Sequence, residues 1–273
     1  MIEQLNVENA GLVELQQEGR VLEIRMVKPK VNAICHRLSR AVERSALFLQ
    51  NNDELQVGML TSGIPRAFSA GLDFNETASP SGQEVDESST RGGFGGITRL
   101  WDLKKPLIAV VNAPAIGGGM ELALACDLIV MAEDAYFQLP ELQRGLLPDG
   151  GGLQRLPRRI PYHVATAMIW TGEAMSAAEA KTWGLVYRVV PPAELSALAW
   201  SIARRMASDA PLAQQAFKEV MRNIDGMPER QSMEIRADSG PEYAIYARML
   251  ASHDMIEGQR AFLEKRPPKW KGC

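Results

Sequence analysis

Residues 107–131 constrain the fold more than any other part of the chain. Leu107 to Val111 is one uninterrupted apolar run, Gly117, Gly118 and Gly119 stand in a row, an apolar helical run continues to Cys126, and residues 128–131 are apolar again. A strand without a polar face has to be covered on both sides, and strands alternating with helices achieve this by building a layered α/β core.

The rest of the chain agrees with that class. Residues 12–26 alternate through Leu22, Ile24 and Met26 and break at Glu18-Gly19-Arg20, which predicts a β-hairpin. Over residues 37–50 the period becomes helical, with Leu38, Ala41, Val42, Ser45, Ala46 and Leu49 at the spacing of one face. Residues 57–61 predict a short strand. From Pro191 onward helical signals dominate, over residues 195–206, 212–221 and 243–263. A boundary is therefore expected near residue 190, between a layered core (1–190) and a helical C-terminal region (191–273). Residues 77–97, rich in Ser, Gly, Asp and Glu without periodicity, have the length that compact domains reserve for functional loops, and predict a lid.

Charge and cysteine usage narrow the function classes. Lys and Arg total 30 against 33 Asp and Glu, a net charge of -3, so no global field draws the chain to nucleic acid or an anionic membrane. Residues 1–11 are polar and acidic rather than a basic and apolar leader, and no run approaches the ~18 apolar residues of a membrane span. Cys35, Cys126 and Cys273 stand at no metal-ligand spacing, which suits reduced thiols in a cytoplasmic protein.

Glycines between a strand and a helix put backbone N–H groups where a helix has four donors without intrahelical acceptors, at the positive end of its dipole. An anion suits that place. A tight turn against the sheet explains the glycines equally, and a phosphate cradle lacks both G-x-G-x-x-G and G-x-x-x-x-G-K-[ST]. Glu121 lies among Met120, Leu122, Ala123, Leu124 and Ala125, so its carboxyl is expected out of bulk water, where an unpaired carboxylate is costly. Glu141 on its own reads as a solvated loop residue, and Asp149, before Gly150, as a turn former. The block Arg66-Ala-Phe-Ser-Ala-Gly-Leu-Asp-Phe74 offers small residues whose backbone can approach a ligand. His36, His163 and His253 are scattered and no serine stands in G-x-S-x-G, so neither a metal site nor a catalytic triad is supported.

At these residues the chain resembles the enoyl-CoA hydratase/isomerase (crotonase) superfamily. The likeness runs through Lys28-Pro-Lys-Val-Asn-Ala33, Ala67-Phe-Ser-Ala-Gly71, residues 105–126 and 137–152, Thr171-Gly172, residues 178–186 and the tail from Glu257 to Arg266. Gly92-Gly-Phe-Gly-Gly96, Leu139-Pro-Glu141 followed by Pro148-Asp149, and Pro268-Lys-Trp-Lys-Gly272 look most like its carnitinyl-CoA dehydratase branch.

The resemblance implies a crotonase fold of repeated ββα units, a helical C-terminal region serving trimerisation, and a homotrimer or dimer of trimers. It implies a lyase acting on an acyl-CoA thioester: reversible hydration of a short 2-enoyl-CoA, from crotonobetainyl-CoA to L-carnitinyl-CoA in this branch. Matched position by position, Ala70 and Gly118 supply the backbone N–H groups of an oxyanion hole, and Glu121 and Glu141 form the acid/base pair. Asp149 stands where typical hydratases carry glycine, so a double-bond isomerase using Asp149 is an alternative. A non-catalytic RNA-binding or scaffold relative is another, disfavoured by the two glutamates and the acidic balance. Ala113 replaces the usual glycine after Asn112 and concerns only the turn.

The resemblance implies no nucleic-acid or membrane partner, no metal and no cofactor, because coenzyme A is part of the substrate. Its phosphates call for Lys28, Lys30 and Arg66, joined from the tail by Phe262, Lys265 and Lys269. Ala33, Ala67, Phe68, Asp73 and Gly117 are further substrate-contacting positions. A trimethylammonium group has no N–H to donate, so Phe94, Trp101 and Tyr136 are the expected aromatic contacts.

Overall fold

A computed structural model describes residues 1–77 and 90–273. A short helix, α1 (Ile2–Glu8), precedes the expected hairpin, in which β1 (Val13–Glu18) and β2 (Val21–Met26) pair antiparallel from Val13 opposite Met26 to Glu18 opposite Val21. The amphipathic helix α2 (His36–Asn51) buries the predicted face, Leu38 through Leu49, against the hairpin. β3 (Val57–Ser62) then adds parallel to β2, and α3 (Phe74–Thr77) is a single turn.

From residue 107 a unit repeats. β4 (Leu107–Val111) leads into the two-residue β5 (Ala115–Ile116) and α4 (Gly118–Ala125). β6 (Leu128–Ala132) leads into β7 (Tyr136–Gln138), a 3-10 turn over Glu141–Arg144 and α5 (Gly152–Arg159). After α6 (Tyr162–Thr171) come β8 (Met175–Ser176), α7 (Ala177–Thr182) and β9 (Arg188–Val190). The long strands form one six-stranded sheet in the order β1-β2-β3-β4-β6-β9, parallel beyond the hairpin, while β5, β7 and β8 form a small second sheet. These are the repeated ββα units of the α/β fold that the resemblance implies, and they set the N-terminus of α4 at the step from the main sheet to the small one.

The C-terminal helices are α8 (Pro192–Ala207), α9 (Pro211–Ile224), α10 (Glu229–Met233), α11 (Ala244–Leu250) and α12 (His253–Leu263). α8 follows directly on the expected boundary and lies across β3, β4 and β6, burying Leu195, Ala199 and Ala203. α9 is tied to the core by Lys218, whose buried ammonium donates to Lys105 O at 2.9 Å and pairs with Asp127 at 2.5 Å. The helical run expected over 243–263 is two helices. Ser252 interrupts it because its Oγ turns to accept the Met255 N–H and cap α12.

The expected lid needs correction where it is described. Residues 78–89 lie outside the described residues, and residues 90–97 are folded onto the core, with Thr90, Gly92, Gly93, Gly95, Gly96 and Ile97 buried. No helix among the described residues is long and apolar enough to cross a membrane.

Candidate active site

Glu121 is placed by the start of α4. The chain enters that helix through Gly117 at φ 56°, ψ -127°, and the Glu121 N–H closes onto Gly117 O at 3.1 Å. The Glu121 residue is 4% exposed. Its Oε1 accepts the Gly152 N–H, the first of α5, at 2.9 Å, and its Oε2 lies so near Gly150 that a Cβ there would stand 2.6 Å from it. Glu141 opens the 3-10 turn and comes to the same place. Its Oε1 lies over Gly117, where a Cβ would be 2.7 Å away, and its Oε2 is buried without a hydrogen-bond partner among the described residues. Two carboxyls thus converge on the first turn of α4, and Gly117 and Gly150 have no side chain because a carboxyl occupies the space.

Burial sets their protonation. It pushes the Glu121 carboxyl up to about 7 against the opposing pull of the Gly152 N–H, with the charges of Glu141 and Asp149 pushing further up and Arg155 pulling down. Burial also raises Glu141 above the ordinary carboxylate range, with Asp149 adding to it and the Arg144 charge opposing. Glu121 is thereby suited to exchanging a proton near neutrality, and Glu141 holds its proton more tightly than an ordinary carboxyl.

The backbone donors differ from expectation at one position. Gly118 N–H has no acceptor among the described residues, as expected. Ala70 N–H donates to Val31 O at 3.0 Å and is not open to a ligand. The open donor of that block is Leu72. In the parallel bridge between Leu72 and Ile34, Gly71 O and the Asp73 N–H are the groups that engage Ile34, so the Leu72 N–H faces away and has no acceptor among the described residues. Gly71 backs directly onto the helix start: a Cβ on it would lie 2.9 Å from Gly118 N. The N–H groups left open here are therefore those of Leu72 and Gly118, while that of Ala70 is taken.

The remaining expected positions divide. Phe94 joins the glutamates, its ring lying so close over Gly118 that a Cβ there would be 2.2 Å from it. Lys28 is committed to an ion pair with Asp73, which holds the Asp73 carboxyl below its usual range, and to Ala33 O at 2.8 Å. Lys30 and Arg66 are exposed beside it, Arg66 Nε donating to Lys30 O at 2.9 Å. Ala67 and Phe68 are core residues: Phe68 is fully buried, and its N–H and carbonyl are taken by Pro114 and Asn32.

The three aromatics are not gathered at one site. Trp101, 61% exposed, lines a cleft of about 1720 Å³ between residues 97–101, residues 149–151, α5 and α9, and the Arg155 guanidinium lies 5.8 Å from its ring centroid. A cation is already on that ring. Tyr136 sits half-buried on β7 opposite Ser176, in the small sheet. Phe262, 83% exposed, Lys265 and Lys269 lie at and beyond the end of α12, and no described contact joins them to the glutamates.

The sequence profile of the enoyl-CoA hydratase/isomerase family matches residues 16–273. The chain belongs to this family. It is 42% identical over 260 residues to a carnitinyl-CoA dehydratase of Salmonella typhi, covering 95% of this chain and 98% of the relative, and equally so to that of Salmonella heidelberg (strain SL476). Among solved structures it resembles an enoyl-CoA hydratase from Mycobacterium tuberculosis H37Rv, with a TM-score of 0.86 and 35% identity over 96% of this chain and 100% of that one. An enoyl-CoA hydratase from Bacillus anthracis has a TM-score of 0.86 and 32% identity over the same shares.

For a chain of the enoyl-CoA hydratase/isomerase family, the sequence reading missed the residues that hold the site rather than form it. Gly150 and Gly152 grip Glu121 through contacts that a turn-like composition does not announce. Leu72 is missed because the match to the family pattern puts the donor at Ala70, whose N–H is taken by Val31 O. The usable signal was Gly71, at φ 80°, which turns the chain so that the following N–H leaves the bridge.

Proposed function

We propose that this chain catalyses reversible hydration of a short 2-enoyl-CoA, with crotonobetainyl-CoA and L-carnitinyl-CoA as the substrate pair. One observation carries the reading: two carboxyls raised by burial meet at the helix start that carries the open Gly118 N–H, with the open Leu72 N–H on the adjoining segment. The carnitinyl-CoA dehydratases at 42% identity support the choice of acyl group.

The thioester carbonyl oxygen accepts from Leu72 and Gly118. As the oxygen of water bonds to C3, the C2–C3 π pair moves toward the carbonyl and charge develops on its oxygen, where each fixed donor is worth roughly 10²–10³ in rate. One glutamate takes the proton released by water and the other delivers its own to C2, and dehydration runs the same path backwards. Only protons and the water oxygen are transferred, so the reaction requires neither a metal nor a redox group. Lys30 and Arg66 face the coenzyme A phosphates, and Lys28 braces the segment carrying Leu72 through Asp73. Phe262, Lys265 and Lys269 complete the nucleotide site from a neighbouring subunit of a homotrimer or dimer of trimers. The acidic balance and buried free thiols Cys35 and Cys126 fit a cytoplasmic enzyme with no nucleic-acid or membrane partner.

The test is kcat/KM for crotonobetainyl-CoA against crotonyl-CoA. One ring contact to the trimethylammonium is worth ~0.5–2 kcal/mol, so the betaine is expected to be favoured about tenfold. A preference for crotonyl-CoA excludes the carnitine branch and leaves a general short-chain hydratase.

Asp149 supports a second reading, double-bond isomerisation, because its charge reaches both glutamates. On the hydratase reading, Asp149→Asn has small and equal effects on hydration and on double-bond migration. Selective loss of migration assigns Asp149 a proton-relay role.

A further inference from the structure

The chemistry above makes no use of the turn at residues 92–96, yet that turn is built against the site. Gly95, at φ 63°, presses on α4 where a Cβ would stand 2.3 Å from Leu122 Cδ2, and its N–H donates to Ser39 Oγ of α2 at 3.1 Å. Gly96, at φ 77°, leaves only 2.1 Å between a Cβ and Ser39 O. Flanked by these glycines, the turn's one side chain, Phe94, is delivered between two backbone segments of the site. A Cβ on Gly118 would meet its ring at 2.2 Å, and one on Gly150, the residue against Glu121 Oε2, at 3.3 Å. Behind the ring, Thr98 Oγ1 donates to Phe94 O at 2.8 Å, and Arg155 donates to Thr98 O at 2.6 Å. Arg155 is one turn along α5 from Gly152, the donor to Glu121, so the contacts close a circuit from Glu121 through α5, Thr98 and Phe94 back to α4.

We propose that Phe94 is a positioning residue: its ring, seated by the glycine turn and braced through Thr98 and Arg155, keeps water off one side of the Glu121 carboxyl and holds it in place for proton transfer. The proton's destination rests on the hydratase reading, whereas the contact itself does not. Burial is the leading cause of the raised proton affinity of Glu121, and the charged groups facing it are Glu141 and Asp149, which add to it, and Arg155, which opposes it. A ring over Gly118 and Gly150 is part of that burial.

The experiment follows the protonated-carboxyl infrared band of Glu121, identified by its loss in Glu121→Gln, against pH in the parent, Phe94→Ala, Phe94→Leu and Thr98→Val, with hydration rates measured alongside. Phe94→Ala readmits water and is expected to lower the titration midpoint by about one pH unit, moving the pH profile of kcat with it and changing kcat more than KM. Phe94→Leu, which refills the gap with apolar bulk, restores most of the shift. Thr98→Val, which cuts the brace and keeps the ring, moves the midpoint the same way by less. An unchanged midpoint in Phe94→Ala, a change in KM alone, or Phe94→Leu behaving like Phe94→Ala overturns the proposal. Should Phe94→Ala not assemble, an unmoved midpoint in Thr98→Val overturns it on its own. A parent without hydratase activity defeats the hydration reading and leaves the infrared result decisive for Phe94.

Discussion

Glu121→Gln and Glu141→Gln each lower kcat by roughly 10²–10⁴ and leave binding of a CoA thioester close to that of the parent. An amide neither takes nor supplies the proton, whereas its oxygen can still accept the Gly152 N–H that holds position 121, so the loss falls on chemistry rather than on the fold. The same variant carries a stability signature. In the folded chain Glu121 titrates at about 7 instead of the ordinary 4.5. Below the ordinary value the carboxyl is protonated in both folded and unfolded chains, and Glu and Gln are equivalent. As pH rises toward 7 the unfolded chain gives up its proton first, and stability falls by an amount approaching ~3 kcal/mol before levelling off. Glu121→Gln is therefore expected to melt near the parent at pH 4 and above it at pH 8. Melting curves that coincide at both pH values contradict the burial account, and near-normal turnover in either variant would falsify the pair assignment.

The second large effect is expected at Gly118. Gly118→Ala and Gly118→Pro both add a Cβ that meets the Phe94 ring, so both lose activity through that collision. Only proline also deletes the N–H. The first residue of a helix tolerates proline because its N–H has no intrahelical acceptor, and α4 is retained. Gly118→Pro is expected to fall a further 10²–10³ below Gly118→Ala, for every thioester substrate alike. Circular dichroism and oligomer size confirm that both variants fold. Equal activities in the two remove Gly118 from the donor pair.

The parts of this molecule legible in the sequence are those with enough residues to show a period. The hairpin, α2 and the run from β4 through α4 to β6 were read close to their true bounds because alternation, helical spacing and glycine punctuation all agree there. β5, β7 and β8 were not, since strands of two or three residues have no period to detect. α5 carries Pro157 and three arginines in eight residues, and only the structure turns its N-terminus toward Glu121.

At the site, the carboxyl pair and Gly118 were accessible through residue type and family pattern, while the second donor was not. Which N–H is left open depends on the pairing of Leu72 with Ile34, a contact between distant segments. The surroundings of Trp101 were equally out of reach of the sequence. Arg155 lies over its ring and Arg222 donates to its carbonyl at 3.3 Å, and both come from later helices that fix residues 98–103 toward the cleft.

The most direct measurement gives the parent enzyme crotonobetainyl-CoA in deuterated water carrying heavy oxygen, following the absorbance of the conjugated thioester and the mass of the product. The account predicts loss of that absorbance with solvent oxygen at C3 and deuterium at C2, both slowed together by roughly 10²–10⁴ in Glu121→Gln and Glu141→Gln. Persistence of the conjugated thioester, or deuterium entering without oxygen, contradicts it.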